Sequence, residues 1–265
     1  MKSTSVAVVG LTLLVASNAA AQGDFHWRGQ LPSGQAIEIK GVNGDVRATP
    51  SSSGDIEVTA TKTSRRGNPA EVRIEMVPHA GGVTICALYP TDGEPNKCEP
   101  GAAGGRRSRS GGRSSTRDND TVVHFDVRVP YGVRFVGRTV NGEISGESLQ
   151  ADVEAHTVNG SVKVATTGSA IANTVNGSVN VTMGRADWAN DADFKTVNGG
   201  ITLTLPSVLD AELRAETLNG SIASDFPITV TGEMSPRRLH GRIGNGGHDL
   251  HLSTVNGSIR LIKGQ

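Results

Sequence analysis

Two groups of side chains have the residue types that could support chemistry. His248, Asp249 and His251 could suggest a metal site, since imidazole and carboxylate groups bind metal ions. In an extended strand, however, residues three positions apart point to opposite faces, so the two histidines would diverge. Surface histidines are therefore favoured, and we expect no metal and no cofactor. Glu154 and Asp193 form the second group, a carboxylate pair of the kind that hydrolyses glycosidic bonds.

Arginines are concentrated between residues 101 and 120, in a segment rich in glycine and serine. Guanidinium groups there could bind lipopolysaccharide phosphates, another anionic polymer or an acidic partner through bidentate contacts. The composition is typical of a mobile loop, and a solvated insertion without a ligand is the alternative. The candidate anion-binding residues are Arg106, Arg107, Arg109, Arg113 and Arg117.

The amino terminus has the features of a signal peptide. Lys2, an apolar stretch over residues 6–16 and small residues over 19–21 predict cleavage before Gln22. The apolar stretch is shorter than the roughly 20 residues needed to span a bilayer, and no later apolar run is long enough. We therefore expect a bacterial protein of the periplasm, the cell surface or the medium, with no transmembrane segment after cleavage of residues 1–21.

Export also bears on the two cysteines, Cys86 and Cys98. An oxidising compartment favours a disulfide over two free thiols. A bridge that closes a loop of this length would contribute about 3 kcal/mol in the chain-entropy model. The spacing is wider than the Cys-x-x-Cys of redox-active pairs, so a structural disulfide is predicted.

The overall composition narrows the choice of partners and folds. The formal net charge is +0 and the sequence pI is about 7.1, which gives no whole-chain attraction to nucleic acid. The 34 glycines and 3% aromatic residues describe a turn-rich chain with a thin core.

A short motif, Val-Asn-Gly or Leu-Asn-Gly, recurs along the chain and indicates a repeat architecture. Apolar or small residues stand six and four positions before each central residue, and aliphatic residues stand three positions after it. This alternation is typical of half-buried strands on both sides of a turn. One copy has histidine in place of asparagine, and the copy at Asn43 lies outside the regular spacing. The regular central residues are Asn141, Asn159, Asn176, Asn198, Asn219, His240 and Asn256.

Two all-β architectures fit this motif. Asn-Gly is a strong hairpin signal, which would give an antiparallel β-meander or sandwich. The flanking Thr-Val and Ser-Val/Ile also tend to recur, however, which favours a β-solenoid (β-helix-like) of short coils. Its asparagines would stack about 4.8 Å apart in a hydrogen-bonded ladder. We predict a less regular β region over 22–130, carrying the loop 101–120, and a regular repeat solenoid over 131–265.

The outward positions of the predicted strands show no converging catalytic group. Charges of both signs are mixed along the stack, as on a solvated face. Glu154 and Asp193 would lie two coils apart, roughly 10 Å, which is a loose pair for hydrolysis. We therefore predict no catalytic residues. A polysaccharide-active β-helix enzyme is the alternative.

The chain resembles a family of exported bacterial β-strand-repeat proteins known as putative adhesins, whose function is not established. The resemblance rests on the Thr-Val-Asn-Gly-Ser-Ile/Val unit, the strand over 126–130 and the closing segment over 252–259. It implies a β-helix-like fold and an envelope location, and it brings no catalytic residues. We expect a non-enzymatic binding or structural module whose partner is envelope polysaccharide, lipopolysaccharide or another envelope protein.

Overall fold

The computed structural model describes residues 25–92, 95–101, 119–188, 191–230 and 235–264. These residues form two large β-sheets and one short 3-10 helix, Pro69–Glu71, with strands numbered in chain order. Sheet A contains, in spatial order, β1 (Phe25–Gly29), β4 (Ile56–Thr63), β7 (Val122–Val129), β3 (Val46–Pro50), β9 (Ile144–Leu149), β11 (Val162–Thr166), β13 (Val179–Met183), β15 (Ile201–Leu205), β21 (Ile259–Lys263) and β17 (Ile222–Ser224). Sheet B contains β18 (Ile228–Val230), β19 (Arg238–Ile243), β16 (Ala211–Asn219), β20 (Asp249–Asn256), β14 (Ala192–Lys195), β12 (Ala170–Asn173), β10 (Val153–His156), β8 (Arg134–Arg138), β2 (Ala36–Lys40), β6 (Gly82–Leu88) and β5 (Arg73–His79).

The chain passes alternately through the two sheets, and equivalent strands of successive coils pair in parallel. Val162 lies opposite Val179, and Val179 lies opposite Ile201. Each coil contributes one strand to sheet B, turns at an Asn-Gly corner and contributes one strand to sheet A. This confirms the predicted β-solenoid, and the antiparallel meander does not describe the repeat region.

The order of the coils in space differs from their order in the chain at both ends of the stack. The last coil, β20 and β21, lies between the coil of β14 and β15 and the coil of β16 and β17. Near the other end, the coil of β2 and β3 lies between β6 and β7 on one side and β8 and β9 on the other. The coil that contains Asn43 is therefore part of the stack, although its sequence spacing is irregular.

Antiparallel strands cover both ends of the solenoid. Strands β4 and β1 add to β7, β5 adds to β6, and β19 and β18 add to β16. His240 lies within β19, opposite Arg214, and does not occupy a corner. Its predicted place in the ladder is corrected here: the end of the stack needs a covering strand, and the motif-like residues around His240 supply one.

The core is thin and aliphatic. Side chains alternate between buried and exposed along most strands, and the inward ones from both sheets form one cluster. Phe125, Phe135 and Phe194 are among its largest fully buried members. A fully buried aliphatic or aromatic side chain contributes about 1.5–3 kcal/mol, so many small contributions stabilise the stack.

Cys86 and Cys98 form the predicted disulfide, and both are buried. No helix within the described ranges is long and apolar enough to cross a membrane. Both sheets continue across residue 130, and the proposed division into 22–130 and 131–265 stays a prediction. The predicted signal peptide over 1–21 lies outside the described residues, and so do Arg106, Arg107, Arg109, Arg113 and Arg117.

Candidate binding surfaces

The corners of the coils carry a continuous row of asparagine amides. In each step, Nδ2 of one asparagine donates to Oδ1 of the asparagine in the next coil, at 2.7–2.8 Å. The row runs, in spatial order, through Asn43, Asn141, Asn159, Asn176, Asn198, Asn256 and Asn219. Each interior amide uses one N–H and one acceptor position within the row, which gives the asparagines a structural role in joining the coils.

The threonine and glycine of each corner have structural roles that the sequence indicates only through their recurrence. Thr174 is buried, and its hydroxyl donates to the carbonyl oxygen of Gly160 at 2.8 Å. A Cβ atom on Gly160 would lie 1.9 Å from the carbonyl oxygen of Gly142 in the neighbouring coil. The recurrence of threonine was the available signal for this arrangement, because an exposed turn does not need a buried hydroxyl.

A polar cluster lies on the outer side of sheet B. Nε of Arg138 lies 3.1 Å from Oε1 of Glu38, and Nη2 of the same guanidinium contacts Glu154. His156 Nε2 lies 2.8 Å from Glu154, and the hydroxyl of Thr84 donates to Glu38 at 2.8 Å. The two carboxylates therefore share one arginine.

The electrostatics of this cluster keep Glu154 ionised. The hydrogen bond with His156 and the charge of Arg138 lower the pKa of Glu154 from 4.5 to about 2, against the opposing effect of burial. A carboxyl group with so low a pKa is a poor general acid at neutral pH.

The segment over 95–101 covers part of this cluster. The ammonium of Lys40 donates to the carbonyl oxygens of Glu99 and Gly101, and the amide of Gly101 donates to Glu38 at 3.1 Å. The disulfide holds the same segment against β6. Glu38 is only 5% exposed as a result, so its carboxylate is closed to a large ligand.

The structure does not bring Glu154 and Asp193 together as a pair. Asp193 lies 3.0 Å from both Lys195 and His251, so it and Glu154 are engaged with different cations. Within the described part of the chain, no three histidine, cysteine or acidic residues are placed to hold a metal ion.

The outer face of sheet A contains an open depression of about 530 Å³. It crosses five neighbouring strands, β3, β9, β11, β13 and β15. Four of its residues bear hydroxyl groups, one bears an amide, four are charged, and the rest are glycine, alanine or valine. They comprise Arg47, Glu143, Ser145, Gly146, Glu147, Lys163, Val164, Ala165, Asn180, Val181, Thr182, Thr202 and Thr204.

A β-bulge in β9 shapes this depression. The register between β9 and β11 shifts after Gly146, and Ser148 adopts a positive φ of 52°. A bulge redirects the side chains beside it, and here Glu147 lies 2.9 Å from Arg47. The four charged residues of the depression form two ion pairs, because Lys163 also lies 2.9 Å from Glu143. The depression is therefore neutral overall.

A second depression, of about 550 Å³, lies where β16 and β20 meet the turn before β19. Arg238 Nε lies 3.3 Å from Glu216, whereas Arg237 donates to the carbonyl oxygen of Leu218 at 3.3 Å. Neither depression could be predicted from the sequence, because each is assembled from strands whose neighbours are set by the order of the coils.

The stacked coils and their internally bonded corners define a β-solenoid of the repeat class. Residues 137–261 match the family described as Toastrack DUF4097, and this part of the chain is a domain of that type. The match confirms the predicted resemblance to a family of unknown function.

The solved structures that are similar to the chain include the following two. One is described as "a putative cell adhesion protein" from Clostridium sporogenes ATCC 15579, with 11% identity, coverage of 91% of this chain and 100% of that chain, and a TM-score of 0.44. The other is described as "a putative adhesin" from Bacteroides fragilis NCTC 9343, with 11% identity, coverage of 92% and 98%, and a TM-score of 0.36. No curated protein matches the chain.

Proposed function

We propose that this chain is a non-enzymatic binding module of the bacterial envelope, and that the outer face of sheet A holds an extended, uncharged polysaccharide. The observation that carries this proposal is the neutral depression across five strands, with four hydroxyl groups and one amide among its side chains. The predicted signal peptide supports the envelope location, since it would export the chain.

The polar side chains of the depression are available to a ligand. In the described part of the chain, five of them make no hydrogen bond, so their donors and acceptors are open to solvent or to a ligand. Sugar hydroxyl groups both donate and accept, as these side chains do. The five residues are Ser145, Asn180, Thr182, Thr202 and Thr204.

The dimensions of the depression favour a polymer. Five strands at about 4.8 Å spacing extend roughly 19 Å along the stack, which is longer than a single sugar ring. No aromatic side chain lines the depression, so each ring would be held by hydrogen bonds without stacking. We therefore expect weak binding per ring, with affinity that grows as more rings are engaged.

The charged groups support binding over hydrolysis. Glu143 and Glu147 are each paired with a cation, and Glu154 on the other sheet is held ionised. A glycosidase needs one carboxyl group that is protonated and can donate to the leaving oxygen. These three carboxylates of the described chain give no support to the polysaccharide-active alternative. Anion binding by Arg106, Arg107, Arg109, Arg113 and Arg117 stays a prediction.

The proposal is tested by titrating the purified protein with neutral β-linked oligosaccharides of increasing length and following binding by calorimetry. The double variant Asn180→Ala/Thr182→Ala should weaken binding, because it removes two of the free polar groups. Thr61→Ala is the matched control, an exposed threonine of β4 outside the depression. Equal affinity of the double variant and the parent for every oligosaccharide would refute the proposal.

A further inference from the structure

The depression beside β16 differs from the one on sheet A in its charge. Two guanidinium groups and one carboxylate line it, those of Arg237, Arg238 and Glu216. Arg238 is paired with Glu216. No carboxylate of the described ranges lies within ion-pair distance of Arg237. Among the residues that the structure describes, one positive charge is therefore uncompensated.

The backbone of the turn fixes the position of Arg237. Its carbonyl oxygen accepts a hydrogen bond from the amide of Thr217 at 2.9 Å, and the carbonyl oxygen of Pro236 accepts one from Ile222 at 3.1 Å. The hydroxyl of Ser235 accepts from the amide of Arg238 at 3.1 Å. These bonds hold the turn against the coil of β16 and β17, so the backbone position of Arg237 is fixed. One N–H group of its guanidinium donates to the carbonyl oxygen of Leu218.

The remaining walls combine polar and apolar groups. Ser253 has a hydroxyl with no hydrogen-bond partner in the described chain. Leu218 is 60% exposed, whereas the valines at the same corner position of the other coils, such as Val175 and Val197, are 39% exposed. The leucine side chain therefore offers an apolar wall next to the guanidinium.

We propose that this depression binds the carboxylate of an acidic sugar, with Arg237 as the principal contact. The planar guanidinium can donate a hydrogen bond to each of the two carboxylate oxygens. Ser253 then contacts a ring hydroxyl, and Leu218 packs against the apolar side of the ring. A carboxylate carries one negative charge and matches the single uncompensated positive charge, whereas a phosphate monoester carries about −1.5 to −2 at neutral pH.

This site is independent of the depression on sheet A, because it is built on strands of sheet B and the turn before β19 and uses different residues. A protein with both sites would contact neutral and acidic sugars at separate places. Failure of one proposal leaves the other intact, since the two are probed with different sugars and different variants.

The test is a titration of the purified protein with glucuronate, followed by nuclear magnetic resonance, with glucose as the uncharged control. Glucuronate should bind and glucose should not displace it. Arg237→Ala should weaken glucuronate binding by about tenfold, as expected for the loss of a hydrogen bond to a charged group. Arg260→Ala, which removes an exposed arginine of β21 on the other sheet, should leave the affinity unchanged.

Ser253→Asp provides a second variant that keeps Arg237 and its turn intact. The added carboxylate should repel glucuronate and weaken its binding, and the circular dichroism spectrum and melting temperature show whether each variant is folded. Unchanged glucuronate affinity in folded Arg237→Ala or Ser253→Asp protein would overturn the proposal. Tighter Arg237-dependent binding of inorganic phosphate than of glucuronate would overturn the choice of a carboxylate.

Discussion

The side-chain nitrogen Nδ2 of Asn176 lies 2.7 Å from the side-chain oxygen Oδ1 of Asn159, although the two residues are 17 positions apart in the chain. Every bond of the row has the same direction, with the nitrogen donating toward the Asn43 end of the stack. An interior asparagine both donates and accepts, whereas Asn219 at the end of the row only donates. Aligned hydrogen bonds of this kind strengthen one another.

Replacing an interior asparagine should therefore cost more than replacing a terminal one. Asn176→Ala removes two hydrogen bonds and should lower the free energy of unfolding by about 1–2 kcal/mol, and Asn219→Ala removes one and should cost about half as much. Both side chains are exposed, which makes the comparison a matched one. Urea unfolding measures the difference. Equal losses would mean that the asparagines act as independent turn residues.

Much of the regular stack could be predicted from the sequence, because Asn159 and Asn176 are surrounded by residues that repeat on both strands. The position of His240 could not, because its neighbours resemble a corner while strand pairing at the end of the stack decides their conformation. The depression on sheet A could not be predicted either, since the alternation of apolar and polar residues in the sequence does not reveal the bulge at Ser148.

The last coil should be required for cooperative folding. It lies between two earlier coils, so truncation after His248 would expose the edges of β14 and β15 and leave β16 without its parallel partner. Exposed strand edges promote aggregation. We expect the truncated chain to lose its cooperative thermal transition and to aggregate on size-exclusion chromatography. Removal of Gly264 and Gln265 alone is the control. A sharp transition at the parent temperature in the longer truncation would contradict the inserted coil.

Replacing the bulge residue Ser148 with glycine should stabilise the folded protein. A positive φ of 52° is unfavourable for a residue with a Cβ atom, and glycine adopts it freely, at some cost in the entropy of the unfolded chain. We expect Ser148→Gly to raise the free energy of unfolding by about 0.5–1 kcal/mol. Ser145→Gly in the same strand has no such strain to relieve and should be destabilising. A lower melting temperature for Ser148→Gly would argue against the bulge geometry.

Acid should weaken the cluster around Glu154. Its pKa is lowered from 4.5 to about 2, so the folded state favours the ionised form, and the resulting stability is present above pH 4.5 and lost as the pH falls toward 2. Glu154→Gln should be less stable than the parent at pH 7, and the difference should shrink between pH 4.5 and 2. Glu75→Gln is the control, since Glu75 is exposed and forms no ion pair with any described residue. A constant difference between Glu154→Gln and the parent across this range would contradict the linkage.

The most direct test of the proposed function is to map a neutral oligosaccharide onto the protein by amide chemical-shift changes in nuclear magnetic resonance. We predict that the changes cluster on the outer face of sheet A, over residues 145–147, 163–165, 180–182 and 202–204, and that they follow one saturation curve. Changes confined to sheet B, or no changes with any neutral oligosaccharide long enough to cross the five strands, would contradict it.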